Sequence, residues 1–386
     1  MTVELGATVD APLLPAYARA NVTFVSGEGC RIWDDTGKSY LDFGAGVAVV
    51  GLGHRHPAPR AAAHEQLDRL WHASNLYFTE PMAKLAGLLS ARVGGTQAFF
   101  SNSGAEAIEA ALKYARKATG RTRIVALQGG FHGRTFGALS ATGQPAKWEG
   151  FGPLVPGVSF APPNDVEALE AAISPAADVA LVLLEPILGE GGVIPLEQEF
   201  VAAAAEMAAE CGALLCADEI QTGIGRTGTF LASERFGLEP DLVTLAKGLG
   251  NGLPIGALLV SDRVLGGFGP GDHGSTFGGN PVCCAAACAV VEAIDDDLLT
   301  NVGDRGAELT AALAAMPGVT GVRGAGLLLG VTLDRPVAAV VDSCRDHGLL
   351  VLSAGTDVLR LTPPLVVGPA EVEEALGIIG SVLASG

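Results

Sequence analysis

Basic residues are scarce in this chain. Only 24 Lys and Arg stand against 42 Asp and Glu, for a net charge of −18. So acidic a chain repels the phosphate backbone of nucleic acids and anionic lipid, which excludes both as partners. An anionic small molecule would need arginines placed locally. No run of about 18 apolar residues occurs, so no membrane span is expected. The N-terminal stretch MTVELGATVDAPLLPAYARA lacks a charged start followed by an apolar core, which argues against a secretory leader and for a cytoplasmic protein. Cysteine is limited to seven residues, an odd number without C-x-x-C spacing, so reduced and mostly buried thiols are expected and a metal site is not. There is no internal repeat, low-complexity tract or obvious flexible linker.

What is abundant is apolar: 49% of 386 residues are hydrophobic, enough for a sizeable core and for two domains. Arg31 to Trp33 and Ser39 to Phe43 read as a hairpin around Asp35-Thr36-Gly37, and Pro57 opens a helix. From about 96 to 260, strand-like runs alternate with helical patterns. The runs are Ala98 to Phe100, Ile124 to Leu127, Val179 to Leu184, Ala213 to Ala217, Leu242 to Ala246 and Ile255 to Val260, with helices from Ala105 and near Phe200 between them. Such alternation predicts an α/β fold with a mostly parallel sheet. An Ala-rich helix follows Pro281. Beyond it, strands at Gly326 to Leu333, Leu349 to Leu352 and Val358 to Leu361, a helix near Val337 to His347 and a final helix predict a smaller α+β domain.

Two of these runs end on ionisable residues, Asp218 and Lys247, which lie 29 residues apart. In an open parallel sheet, ligands bind outside the carboxyl ends of the strands, so a carboxylate and an amine placed there face one ligand. Taken alone, the stretch leaves open that both merely terminate buried strands. Other loops after strands add to it. SNSGAEA opens a helix whose Gly104 and Ala105 present free N–H groups at a positive helix end, a phosphate site by geometry or an ordinary helix start. FHGRT supplies a ring, Phe131, for stacking and a guanidinium, Arg134, for a carboxylate, or is a loop with a solvated arginine. LEPILGEGG brings Glu185 and Glu190 toward Asp218, and HGSTFGGNP offers the hydroxyls of Ser275 and Thr276. Phosphate donors, a stacking ring, a carboxylate and an amine together point to pyridoxal 5′-phosphate. GIGRTG, at Gly223 to Gly228, is the one dinucleotide-like candidate, and it lacks a clear helix behind it.

At these residues the chain resembles the class III aminotransferases of the fold-type I pyridoxal-phosphate enzymes, and among them the acetylornithine aminotransferases. The resemblance runs from YARANVTFVSGEGCRIWDDTGKSYLDF through LWHASNLYFTEP, SNSGAEA, FHGRTFGALSATGQPAKWEGFGP, LEPILGEGG, DEIQTGIGRTG, ERFGLEPDLVTLAKGLGNGLPIGA and HGSTFGGNP to LRLTPPL. It implies a large cofactor-binding domain at residues 51–294 and a small domain built from 1–50 and 295–386. Lys247 resembles the lysine that bonds the cofactor aldehyde, Asp218 the partner of the pyridine nitrogen, and Gln221 a contact to the phenolic oxygen. Gly104 and Ala105 resemble the phosphate-binding pair, Phe131 the stacking ring, and Thr276 a phosphate contact given by the neighbouring subunit of a homodimer. For substrates, Arg134 resembles the arginine that binds the α-carboxylate, with Ser275 at the substrate site. Arg360 resembles the arginine for the α-carboxylate of glutamate or 2-oxoglutarate, and Glu190 the glutamate that pairs with it when a terminal amine is bound.

The activity so implied moves the terminal amine of N-acetylornithine to 2-oxoglutarate, as in arginine biosynthesis. Succinylornithine, 4-aminobutyrate, ornithine or a lysine-pathway compound are rival substrates, and an aminomutase or decarboxylase is a rival chemistry. Ile108 stands where asparagine is usual and Leu188 where glutamine is usual, both expected near the pocket. Val47 replaces a tyrosine of the ornithine enzymes, which suits an acylated rather than a free α-amine.

Overall fold

The computed structural model describes residues 12–385, so the leader reading lies partly outside the described residues. Its centre is a seven-stranded sheet, labelled here along the chain as β1 (Thr96–Ser101), β2 (Arg123–Leu127), β3 (Val158–Ala161), β4 (Val179–Leu184), β5 (Leu214–Asp218), β6 (Leu242–Leu245) and β7 (Gly256–Ser261). The spatial order is β1-β7-β6-β5-β4-β2-β3. Pairs from β6 to β3 are parallel, while β7 runs antiparallel to both neighbours. The reversal of β7 follows from chain length. Ten residues separate it from β6, fewer than the dozen or so that a parallel crossover needs.

Most strands are buried on both faces, as a parallel sheet covered by helices requires. Helix Gly104–Thr119 lays Ile108, Ala111 and Ala115 on one face of the sheet against Leu181 and Leu258. Ser103 caps it, its hydroxyl accepting the Glu106 N–H at 3.3 Å, and left-handed Gly120 ends it. Helix Gln198–Cys211 covers the other face through Phe200, Val201 and Ala204. No α-helix joins β5 to β6, and a single 3-10 turn at Ala232–Phe236 interrupts that stretch. Buried Glu219 organises it by accepting the Thr222 hydroxyl and the N–H groups of Ala232 and Ser233.

The predicted hairpin is present as Arg31–Asp34 and Ser39–Asp42, preceded by Phe24–Glu28. The strand expected at Leu349 to Leu352 is two short strands. Leu349–Leu350 pairs in parallel with Ser39–Asp42, and Leu352–Ser353 pairs with Val358–Leu361 in a separate C-terminal sheet. Gly326 is not in a strand. With φ +52 it turns a hairpin between Val319–Ala325 and Leu328–Leu333. N- and C-terminal segments thus share one sheet.

Arg226 ties this C-terminal part to the loop after β5. Its guanidinium is buried, has no carboxylate partner among the described residues and donates to the carbonyls of Leu327 (3.0 Å) and Pro363 (2.5 Å). Burial pushes its pKa down to about 9, so the group remains a cation at neutral pH. Replacement by Met keeps the apolar stem but leaves two carbonyls unpaired, a cost of about 2–3 kcal/mol. Urea denaturation of Arg226→Met should therefore show a clearly lowered midpoint, and an unchanged midpoint would refute the tie.

Candidate active site

Outside the carboxyl ends of the parallel strands lies a cavity of about 450 Å³. Among its walls are Gly104, Ala105, Phe131, Arg134, Glu190, Asp218, Gln221 and Lys247, which come from strand ends and from the turns and helix starts that follow them. The parallel pairing of β5 with β6 sets Asp218 opposite Thr244, and Lys247 emerges three residues later. Lys247 has φ +41, a left-handed conformation that a lysine adopts only where the surroundings enforce it.

Asp218 is buried and fully engaged. One oxygen meets His132 Nδ1 at 2.7 Å, and the other accepts from the Thr244 hydroxyl and the Ile220 N–H, both at 3.1 Å. Burial opposes a charge on His132, but its contact with Asp218 outweighs this and holds its pKa above the usual histidine range. His132 had no assigned role in the sequence. Its one signal there was its place beside Phe131 in a loop after a strand. Glu185, buried beside them, accepts the Phe131 N–H at 2.7 Å on one oxygen and the Gly189 N–H at 3.2 Å on the other. Burial and the Asp218 charge raise its pKa, while His132 and these two N–H groups oppose the rise. The pair of N–H donors fixes the ring loop relative to the loop carrying Glu190.

The loop after β2 approaches the helix at Gly104 closely enough to demand glycine at 133. A Cβ on Gly133 would stand 2.7 Å from the Ala105 Cβ, and its φ of +134 suits no other residue.

Arg360, on strand Val358–Leu361, is buried behind the cavity wall. Its Nη1 donates to Glu190 Oε1 at 2.7 Å and to Gln221 Oε1 at 3.1 Å, while its Nε has no partner. Burial raises the Glu190 pKa, but the Arg360 charge and contact prevail and hold it below the ordinary carboxylate range. The Lys247 amine is pushed down from its ordinary value of 10.5, first by burial and then by Arg360. Since arginine only donates, Gln221 must turn its oxygen to Arg360 and its NH₂ away from it.

Ser275 and Thr276 lie outside this cavity. Ser275 reaches it indirectly, accepting from Asn102 Nδ2 at 3.2 Å, and Asn102 lines the wall. Thr276 is exposed. Ile108 and Leu188, expected near the pocket, do not line it: both are fully buried in apolar clusters on opposite faces of the sheet. Val47 is partly exposed, and Val49 lines the cavity instead. Among the described residues, no group of His, Cys, Asp and Glu is arranged to hold a metal, and no helix is long and apolar enough to cross a membrane.

A cavity with helix N–H groups at one edge, a carboxylate and an amine from adjacent strands and a ring on the loop between suits a phosphorylated pyridine aldehyde. The comparisons agree. The class-III aminotransferase profile matches residues 15–383. An acetylornithine aminotransferase of Gloeobacter violaceus is 47% identical, with 96% of each chain covered. Among solved structures, the N-acetylornithine aminotransferase of Stenotrophomonas maltophilia superposes with a TM-score of 0.83 at 36% identity, covering 96% of this chain and 97% of that one. The ornithine aminotransferase of Toxoplasma gondii gives a TM-score of 0.92 at 32% identity, covering 97% and 93%. Fold, cavity and sequence lead to one assignment: the chain belongs to the class-III aminotransferases, pyridoxal-phosphate enzymes of fold type I.

Proposed function

We propose that the enzyme transfers the terminal amine of N-acetyl-L-ornithine to 2-oxoglutarate, giving N-acetyl-L-glutamate 5-semialdehyde and L-glutamate, as a step of arginine biosynthesis in the cytoplasm. The observation that carries this reading is the ion pair of Arg360 with Glu190 at 2.7 Å beside Lys247. A terminal amine on a long chain has no carboxylate next to its reacting carbon, so a bare arginine there would be left unpaired. Glu190 covers that cation for the first substrate. Its withdrawal frees the cation for the α-carboxylate of the second. The similarity to proteins named acetylornithine aminotransferases supports the choice of N-acetylornithine.

Within this reading each residue has a task. Gly104 and Ala105 would hold the phosphate on their N–H groups. Phe131 would cover one ring face, Gln221 would donate to the phenolic oxygen, and Asp218, oriented by His132 and Thr244, would keep a proton on the ring nitrogen. The cofactor supplies an aldehyde that condenses with amines and a protonated ring that delocalises the electron pair left on the adjacent carbon. Lys247 would take the proton from the substrate carbon and return it two atoms along, a role its lowered pKa favours because it must be neutral to accept a proton. Arg134 would bind the carboxylate remote from the reacting end, with Ser275 beside the substrate site.

Thr276 is assigned to the phosphate of a second subunit, and we infer a homodimer. Leu76 (84% exposed) and Phe78 (93% exposed) lie on a stretch tied to the Ser275 loop, with Asn75 donating to the carbonyls of Ser275 and Gly278. Exposed apolar groups so close together call for a covering surface. The division into a large domain at 51–294 and a small one from 1–50 and 295–386 is likewise our proposal, supported by the sheet that the two ends share.

The deciding experiment compares kcat/KM for N-acetylornithine, N-succinylornithine, ornithine and 4-aminobutyrate with 2-oxoglutarate as acceptor. N-acetylornithine should lead, and preference for ornithine or 4-aminobutyrate would overturn the substrate assignment, while product without any oxoacid would favour a mutase. Glu190→Gln removes the covering charge from Arg360. It should raise kcat/KM for the glutamate half-reaction relative to the N-acetylornithine half-reaction by roughly tenfold, about 1.4 kcal/mol. Equal changes in both would sink the switch. Sedimentation velocity should give a dimer, and a monomer with full activity would refute the shared site.

A further inference from the structure

Two cations stand over the ring of Phe131, Arg134 from the loop after β2 and Lys147 from a turn beyond the helix Phe136–Ala141. Arg134 Cζ stands 5.7 Å from the centroid of Phe131, and Lys147 Nζ stands 5.2 Å from the same centroid. Among the described residues, neither side chain has an ion pair or a hydrogen bond. In a chain with 42 acidic residues this is a distinctive place for two cations to share. Glu190, whose charge Lys147 also senses, is already committed to Arg360.

The position of Lys147 is built rather than incidental. It ends a single 3-10 turn, Pro145–Lys147, clamped at both sides. Before it, the Gln144 amide donates to the carbonyls of Gly129 and Gly130, in the loop that carries Phe131. After it, Trp148 Nε1 donates to the carbonyls of Thr142 and Leu139. The ammonium is half-buried, and its pKa is lowered by burial and then by the Arg134 charge. Two like charges held side by side repel, and an anion between them relieves the repulsion.

We propose that Lys147 is a specificity-determining residue that joins Arg134 in binding one carboxylate, the end of each substrate remote from the reacting atoms. This rests on the two-substrate reading above. With the terminal amine of N-acetylornithine at Lys247, its carboxylate lies at the far end. With the α-carboxylate of 2-oxoglutarate on Arg360, the distal carboxylate lies at that same end. One cation pair therefore serves both half-reactions, while Glu190 and Arg360 distinguish them.

The test uses the holoenzyme with Lys147→Met and Lys147→Arg. Calorimetry measures binding of glutarate, a dicarboxylate without a reacting carbonyl, and kinetics compares N-acetylornithine with pentylamine, a donor without a carboxylate. Lys147→Met should weaken glutarate and raise KM for N-acetylornithine by roughly five- to thirtyfold, with kcat changed less than about twofold. Pentylamine should be unaffected, and Lys147→Arg should restore most of the loss. Unchanged glutarate binding, or an equal loss with pentylamine, overturns the assignment. If wild-type enzyme prefers donors without a carboxylate, the proposed function fails, and the glutarate comparison still decides whether Lys147 binds carboxylate.

Discussion

The buried carboxylate of Asp218 is the constraint around which the site is assembled. An ionised group with 3% exposure is tolerable only if its oxygens are paired. Its donors come from three places: the loop after β2 through His132, the adjacent strand β6 through Thr244, and its own turn through Ile220. Satisfying Asp218 thus fixes how the β2 loop, and with it Phe131 and Arg134, lies against β5 and β6. Glu185 extends the same logic. Its oxygens fix the ring loop and the Gly189 backbone together, so the stacking ring and the Glu190 turn share one anchor.

A second buried charge works differently. Arg360 is paired by a group that can leave. A buried ion pair gains little net stability because desolvation offsets the attraction, yet stripping away one partner is costly. In the proposed switch, exchange of Glu190 for a substrate carboxylate would never leave the guanidinium without an anion, which would keep the two paired states close in free energy. Gln221 accepts from the same nitrogen as Glu190 and is neutral, so it can keep Arg360 in place while the carboxylates change. The unpartnered Nε adds a donor that a second carboxylate oxygen can use.

The alternation of strands and helices, the placement of Asp218 and Lys247 at adjacent strand ends and the positive helix start at Gly104 were legible because each depends on local pattern and on the rule that ligands meet strand ends. Less legible were features decided by tertiary contacts. His132 looks like any loop histidine until Asp218 is placed beside it. The run Leu349 to Leu352 is apolar throughout and carries no mark of its change from one sheet to another, which only the partners of Leu349–Leu350 and Leu352–Ser353 reveal. Ile108 and Leu188 sit in motifs that line the pocket, but helix and strand periodicity turns their side chains into the apolar clusters beneath. Any effect of theirs on specificity must therefore pass through packing rather than contact.

The charge distribution connects the whole chain to its site. At −18 the protein repels the two carboxylate-bearing substrates from most of its surface, so affinity has to be supplied close to the reaction. Arg360 lies behind the wall, and Arg134 and Lys147 stand together over Phe131. These cations differ in what they face. Under the proposed assignment Arg360, covered by Glu190, would discriminate between substrates, whereas Arg134 and Lys147, which form no ion pair among the described residues, would favour any substrate that ends in a carboxylate. Tolerance at one end and selection at the other follow from whether the protein supplies a competing anion. That is how a single cavity can serve a terminal amine and an α-keto dicarboxylate in turn.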